Sequence, residues 1–144
     1  MRTSLTKSQH FGRILLGLFL LLAGTGHLTW QRIEFLAQVP NWVPLRPDLV
    51  VLLSGIVEIT LGLSLLFLLP YMACVGLATA LFFLAIFPGN IAQYLNHRNA
   101  FGLNTDTQRL IRLFFQPLLI LWALRTTGAW TCLRNRCTCC RQNS

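Results

Sequence analysis

Residues 49–69 read LVVLLSGIVEITLGLSLLFLL, and the character of this run decides the fold. Apart from Glu58, it holds only apolar residues, glycines and small hydroxyls. About twenty such residues in a helix cross a hydrocarbon core of roughly 30 Å. A helix satisfies its own backbone polar groups, which lipid cannot do. A carboxyl group deep in such a segment is costly unless it faces other protein. The run therefore reads as a membrane helix that needs helical neighbours.

Those neighbours lie on either side. Residues 11–30, FGRILLGLFLLLAGTGHLTW, form one apolar run. Arg2, Lys7 and Arg13 before or within its start give it the look of a secretory signal. Ala23-Gly24-Thr25 is a poor cleavage region and no soluble domain follows, so the run reads as a retained span. Residues 71–87 form a third run, short for a span and ended by Pro88-Gly89-Asn90, with continuation past the proline as the alternative. Residues 110–130 form a fourth, interrupted by Arg112, Gln116-Pro117 and Arg125. The expected fold is all-α, a transmembrane four-helix bundle. A short cytoplasmic segment (residues 1–10) precedes the helical domain (11–130), and a basic, Cys-rich tail (131–144) follows it.

Composition agrees. The chain is 54% hydrophobic and 11% charged, where soluble domains carry about 25% charged residues. Mean hydropathy is +0.58. The net charge of +8 comes from twelve Lys and Arg against four Asp and Glu. These charges sit mostly between and beyond the apolar runs, where they meet lipid headgroups, so no nucleic-acid partner is expected. Four crossings put both termini on one side, with Arg2, Lys7, Arg13, Arg125, Arg134, Arg136 and Arg141. Arg32, Arg46, Arg98, Arg109 and Arg112 fall on the other. The positive-inside rule places the termini in the cytoplasm.

The connections differ. Little more than Pro70 joins the second and third runs, which predicts a tight antiparallel hairpin. Residues 32–48 carry Pro40, Pro44 and Pro47 around Trp42, a stiff and partly apolar cap at the membrane surface.

Each run also carries a strongly polar residue: His27, Glu58, Asn90, and the pair Arg112 and Gln116. In the expected topology Glu58 lies roughly 13 Å below the outer start of its helix, and Gln116 roughly 9 Å below its own. His27 and Asn90 end their helices on the same side. Small residues share their faces: Gly17, Leu20 and Gly24 with His27; Ser54, Gly55 and Gly62 with Glu58. Ala73, Gly76, Ala80, Phe83 and Phe87 share a face with Asn90, and Ile120 and Ala123 with Gln116. Small residues allow close helix approach, so these faces point inward and the five polar residues form a candidate pocket. Arg112 and His27 are the expected partners of Glu58. The plainer readings are a protonated Glu58 bonding across helices, Asn90 capping a broken helix, and Gln116 serving the carbonyl that Pro117 leaves unpaired.

Cys132, Cys137, Cys139 and Cys140 crowd the tail and could hold a thiophilic metal, though their spacing is not that of paired zinc ligands. An unstructured reduced tail is the simpler expectation. No phosphate-binding loop, HExxH, nucleophile elbow or CxxC pair is present.

Five pieces, in order, carry a family resemblance. They are Gly26-His27, Val39-Pro40-Asn41-Trp42-Val43-Pro44, and Ser54-Gly55-x-x-Glu58-Ile59-x-x-Gly62. Phe87-Pro88-Gly89-Asn90-Ile91 follows, then Arg112-Leu113-x-x-Gln116 with Leu119-Ile120-Leu121-Trp122-Ala123. The chain resembles the DoxX-like membrane proteins over nearly its whole length. It departs at Leu28, where an aromatic is common, at Gly89, where alanine is usual, and at Pro117, since relatives place the proline before the glutamine. The Cys-rich tail is outside the pattern. The resemblance implies a bacterial inner-membrane protein with a redox or quinone-associated role, so a quinone is the implied cofactor. In that role Glu58 exchanges a proton while Arg112 holds its charge. Other relatives imply a non-enzymatic scaffold that assembles with another membrane subunit. No motif here assigns an enzyme class.

Overall fold

The computed structural model describes residues 5–134. They fold into α1 (Lys7–Leu28), α2 (Arg32–Leu36), α3 (Pro47–Phe67), α4 (Met72–Leu95), α5 (Asp106–Thr126) and α6 (Ala129–Arg134), with a 3₁₀ turn at Leu69–Tyr71. No strand occurs among the described residues. Three segments are long and apolar enough to cross a membrane: Lys7–Leu28, Pro47–Phe67 and Leu69–Leu95. They mark the chain as an integral membrane protein. Helix α5 is as long as α3 but its polar residues keep it below that hydropathy.

Local chemistry sets the helix bounds. A capping box starts α1: the Thr6 hydroxyl accepts from Gln9 N–H and the Gln9 side chain accepts from Thr6 N–H. Four residues that precede the apolar run thus become helical. Thr105 and Gln108 build the same box at the start of α5. Pro47 takes the first position of α3, where its missing N–H costs nothing. Helix α4 does not stop at Pro88 but runs through it to Leu95.

The helices pair unequally. The hairpin at Pro70 is tight, yet α3 packs chiefly along α1, and α4 along α5. Glycines explain the first pairing. A Cβ on Gly24 would stand 2.8 Å from the carbonyl oxygen of Gly55, and one on Gly62 2.9 Å from that of Gly17. Gly17 meets Gly62 while Gly24 meets Gly55, so the helices run antiparallel with backbones in contact. Both pairs repeat every seven residues, the period that keeps one seam facing a partner.

The packed core fills the half of the molecule nearer the termini, with Leu16 and Leu20 of α1, Leu65 of α3, Met72, Val75, Ala80 and Phe83 of α4, and Leu119 and Ala123 of α5. Arg13 is buried in the same half. Its guanidinium donates to the carbonyls of Leu65 and Leu66, in the last turn of α3. Those carbonyls have no helical partner, and a cation suits that end of a helix dipole. Arg13 is thus bound inside the protein and not free for the headgroups.

Substituting Gly24 with alanine should destabilise the fold by about 1–3 kcal/mol, because a backbone carbonyl cannot yield as a side chain does. Leu22→Ala, on an exposed face of the same helix, is the control. Thermal unfolding of the two purified variants in one detergent checks the difference.

Candidate functional site

The other half of the molecule is hollow. Where α1 and α4 end and α3 and α5 begin, the helices enclose a cavity of about 580 Å³. Its lining is mostly apolar, with Leu20, Phe35, Val39, Val51, Phe83 and Leu119 among the walls. His27, Glu58, Asn90, Arg112 and Gln116 all line it. The structure therefore brings the five polar residues of the sequence reading into one space.

Glu58 and His27 face each other from the glycine-packed helices. Each is 5% exposed, and His27 Nδ1 lies 3.0 Å from Glu58 Oε2. The approach is that of an ion pair, and Oε2 has no hydrogen-bond partner besides this ring among the described residues. Ser54 Oγ stands 3.5 Å from the same ring nitrogen and donates to the Val51 carbonyl instead. A buried acid with an unsatisfied oxygen, on the wall of a cavity, is open to a further partner.

Arg112 is not that partner. Its guanidinium lies 4.2 Å from the centroid of the Phe101 ring, and no carboxylate pairs with it among the described residues. The expected Glu58–Arg112 ion pair is absent because an aromatic row intervenes. His27 meets Phe35 edge-on, Phe35 meets Phe101 edge-on, and Phe101 carries Arg112. Phe101 holds φ at 57°, in the left-handed region, at a cost of roughly 1–2 kcal/mol for a residue with a Cβ. Its N–H donates to Glu34 Oε2 at 2.6 Å, a bond that offsets the strain and holds the ring in the row.

The amides form a separate, closed set. Asn90 Nδ2 donates to Gln116 Oε1 at 2.9 Å, and Gln116 Nε2 donates to the Phe83 carbonyl at 2.7 Å. Gln38 Nε2 donates to both Asn90 Oδ1 and Gln93 Oε1, each at 3.1 Å. Two sequence-level alternatives are corrected here. Asn90 sits within continuous α4 and caps nothing, and Gln116 serves a carbonyl of α4, not one in its own helix.

The residues that sequence reasoning missed are Gln38, Phe35, Phe101, Gln93 and Arg98. Gln93 was within reach, since a helix carried through Pro88 puts it one turn from Asn90 on the same face. The loop residues gave no local signal. Arg98 spans the two loops by donating to the carbonyls of Ala37 and Val39 and to Asn41 Oδ1. Nearby, Asp106 accepts from His97 Nδ1 at 2.8 Å and from Arg109 at 2.5 Å. The His97 hydrogen bond chiefly, with Arg109 adding to it, holds this carboxyl below the usual Asp range.

Of the tail cysteines, Cys137, Cys139 and Cys140 lie outside the described residues. Among the described residues no three His, Cys, Asp or Glu side chains gather as a metal site. A family model described as "Domain of unknown function (DUF8561)" matches residues 16–127, a span that contains every polar residue of the cavity. No curated protein and no solved structure matches the chain.

Two outcomes follow from this geometry. Removing either member of the His27–Glu58 pair should cost about 3–5 kcal/mol, because it strands the other in a buried site. Replacing both with leucine should cost less than the two single losses added together, by at least ~1 kcal/mol, in a double-mutant cycle of thermal unfolding. Because the folded Asp106 titrates below its unfolded value, its contribution is full above the ordinary Asp range near ~4 and disappears as pH falls through the depressed value. Protection of the amides in residues 97–106, taken relative to intrinsic exchange at each pH, should therefore fall below that range, and Asp106→Asn should remove that change in protection.

Proposed function

The chain belongs to the DUF8561 family, and we propose that it is a DoxX-like membrane protein whose cavity binds a quinone-class lipophile. Helices α1, α3, α4 and α5 cross the bilayer as a four-helix bundle. The exposed side of α5 supports this, since Phe114, Leu118 and Leu121 face outward while Arg109 and Gln116 are buried. Part of its low hydropathy thus comes from buried residues, and the exposed Asp106, Thr107, Gln108 and Arg125 lie at the helix ends. Both termini are cytoplasmic, as the excess of basic residues on their side requires, and the membrane is the bacterial inner membrane that the family resemblance implies. The cavity then opens toward the outer leaflet.

One observation carries the ligand reading: the unsatisfied oxygen of Glu58, 95% buried beside His27, on the wall of an apolar cavity. Closed amide networks rigidify a site but offer a ligand nothing. Glu58 and Arg112 are the groups with capacity to spare. A quinone suits them: a flat apolar ring for the aromatic row, and oxygens at its edge. Arg112 donates to one oxygen. Glu58, with His27 behind it, takes or returns the proton of the other when a partner redox protein exchanges the electrons. The role is quinone binding and proton handling, and the electron transfer belongs to that partner, a second membrane subunit.

The full chain in nanodiscs should quench its tryptophan fluorescence on binding a decyl-substituted benzoquinone, since Trp42 lines the cavity. Glu58→Gln keeps the shape and removes the proton acceptor, and should weaken binding of the reduced quinol, whose hydroxyl donates to the carboxylate, by about tenfold. Glu58→Leu should abolish it. Unaltered binding in both variants, or a stoichiometric protein partner on a chain that binds no quinone, overturns the reading.

A further inference from the structure

Charge balance in the cavity names the ligand more closely. Three ionisable side chains line it: His27, Glu58 and Arg112. The first two lie 3.0 Å apart, at ion-pair distance, so that each offsets the other's charge. Arg112 remains, and arginine keeps its proton in proteins.

Four acidic residues exist in the whole chain, and none of them pairs with Arg112. Glu34 accepts from the Phe101 N–H, Asp48 pairs with Arg32, Glu58 faces His27, and Asp106 pairs with His97 and Arg109. The polar neighbours cannot substitute for an anion, because Asn90, Gln116 and Gln38 are bonded to one another. The Phe101 ring is the compensation Arg112 has. A cation over an aromatic face recovers only part of what desolvation takes. Among the described residues the half-buried guanidinium therefore lacks a counter-ion, in a space with room for one.

We propose that Arg112 makes this cavity selective for a lipophilic anion: an apolar body carrying one ionised oxygen acid, seated on the guanidinium. The proposal rests on the cavity being a lipophile site and specifies the charge of its occupant, which the quinone reading leaves open. A carboxylate on an alkyl chain and an ionised hydroxyquinone share this chemistry. Phe19 of α1 and Phe115 of α5 line the cavity and are 44% and 55% exposed, which puts them at its mouth. The apolar body of such a ligand can reach past them toward the acyl chains from which it comes.

Two matched pairs test this on the full chain in nanodiscs: dodecanoate against dodecanol, and an alkyl-substituted 2-hydroxy-1,4-naphthoquinone against the same compound without the hydroxyl. Binding is read by tryptophan quenching at a pH where both acids are ionised. Each anion should bind about tenfold or more tighter than its neutral twin, as a charge-assisted hydrogen bond requires. Arg112→Met should equalise the members of each pair, and Arg112→Lys should keep most of the preference. Equal binding within both pairs by the unaltered chain overturns the proposal whether or not any variant folds. So does a preference that survives Arg112→Met. The arms separate the two readings. Naphthoquinone binding without anion preference leaves the quinone reading standing and removes this one. Binding of dodecanoate over dodecanol with neither naphthoquinone bound does the reverse.

Discussion

The contact of bare backbone between α1 and α3 is the constraint on which the site depends. Gly17 against Gly62 and Gly24 against Gly55 bring the helices together until carbonyl oxygens occupy the space a Cβ would need. That closeness sets the register, and the register puts His27 opposite Glu58. A Cβ on Gly55 would itself stand 2.8 Å from the Cβ of His27. In lipid there is no hydrophobic gain from hiding one apolar helix against another, so small residues and polar pairs must hold such helices together. Here the two devices are adjacent on the same seam.

The second constraint is a division of labour along the helices. Near the termini, leucines and Phe83 fill the interior, and Arg13 seals the open carbonyls at the end of α3. Near the opposite end, the same helices carry histidine, carboxylate, amides and guanidinium around a void. The packed half fixes the helix positions, and the hollow half inherits that geometry without having to fill its own volume. The loops then complete the walls. Arg98 ties the loop after α4 to the loop after α2, and Glu34 holds Phe101 in its left-handed conformation.

Within the hollow half the polar groups divide into those satisfied by one another and those that are not. The amides close on themselves and on the Phe83 carbonyl. The carboxyl oxygen of Glu58 and the guanidinium of Arg112 stay open, separated by the aromatic row that keeps them from neutralising each other. An acid and a base that cannot meet directly can both engage a molecule placed between them. The proposed quinone-class ligand, and its proposed negative charge, both follow from that separation.

Sequence alone determined the helical class, the three segments long and apolar enough to cross a membrane, and the glycine faces on which the first two of them pack. Those properties are written in local periodicity and in segment length, which need no partner to be read. It also singled out His27, Glu58, Asn90, Arg112 and Gln116, because a strongly polar residue in an apolar run stands out wherever it points. Tertiary structure decided how they pair. Glu58 meets His27 and not Arg112, because Phe35 from the short helix α2 and Phe101 from the loop after α4 come between them on paths that no local pattern encodes. Pro88 does not end its helix: α4 runs through it packed along α5, and Gln116 of α5 donates to the Phe83 carbonyl in the stretch before the proline. Arg13 reads in sequence as a topological charge but is spent inside the protein on the end of another helix. In each case the deciding partner lies dozens of residues away, and only folding brings it within a hydrogen bond's reach.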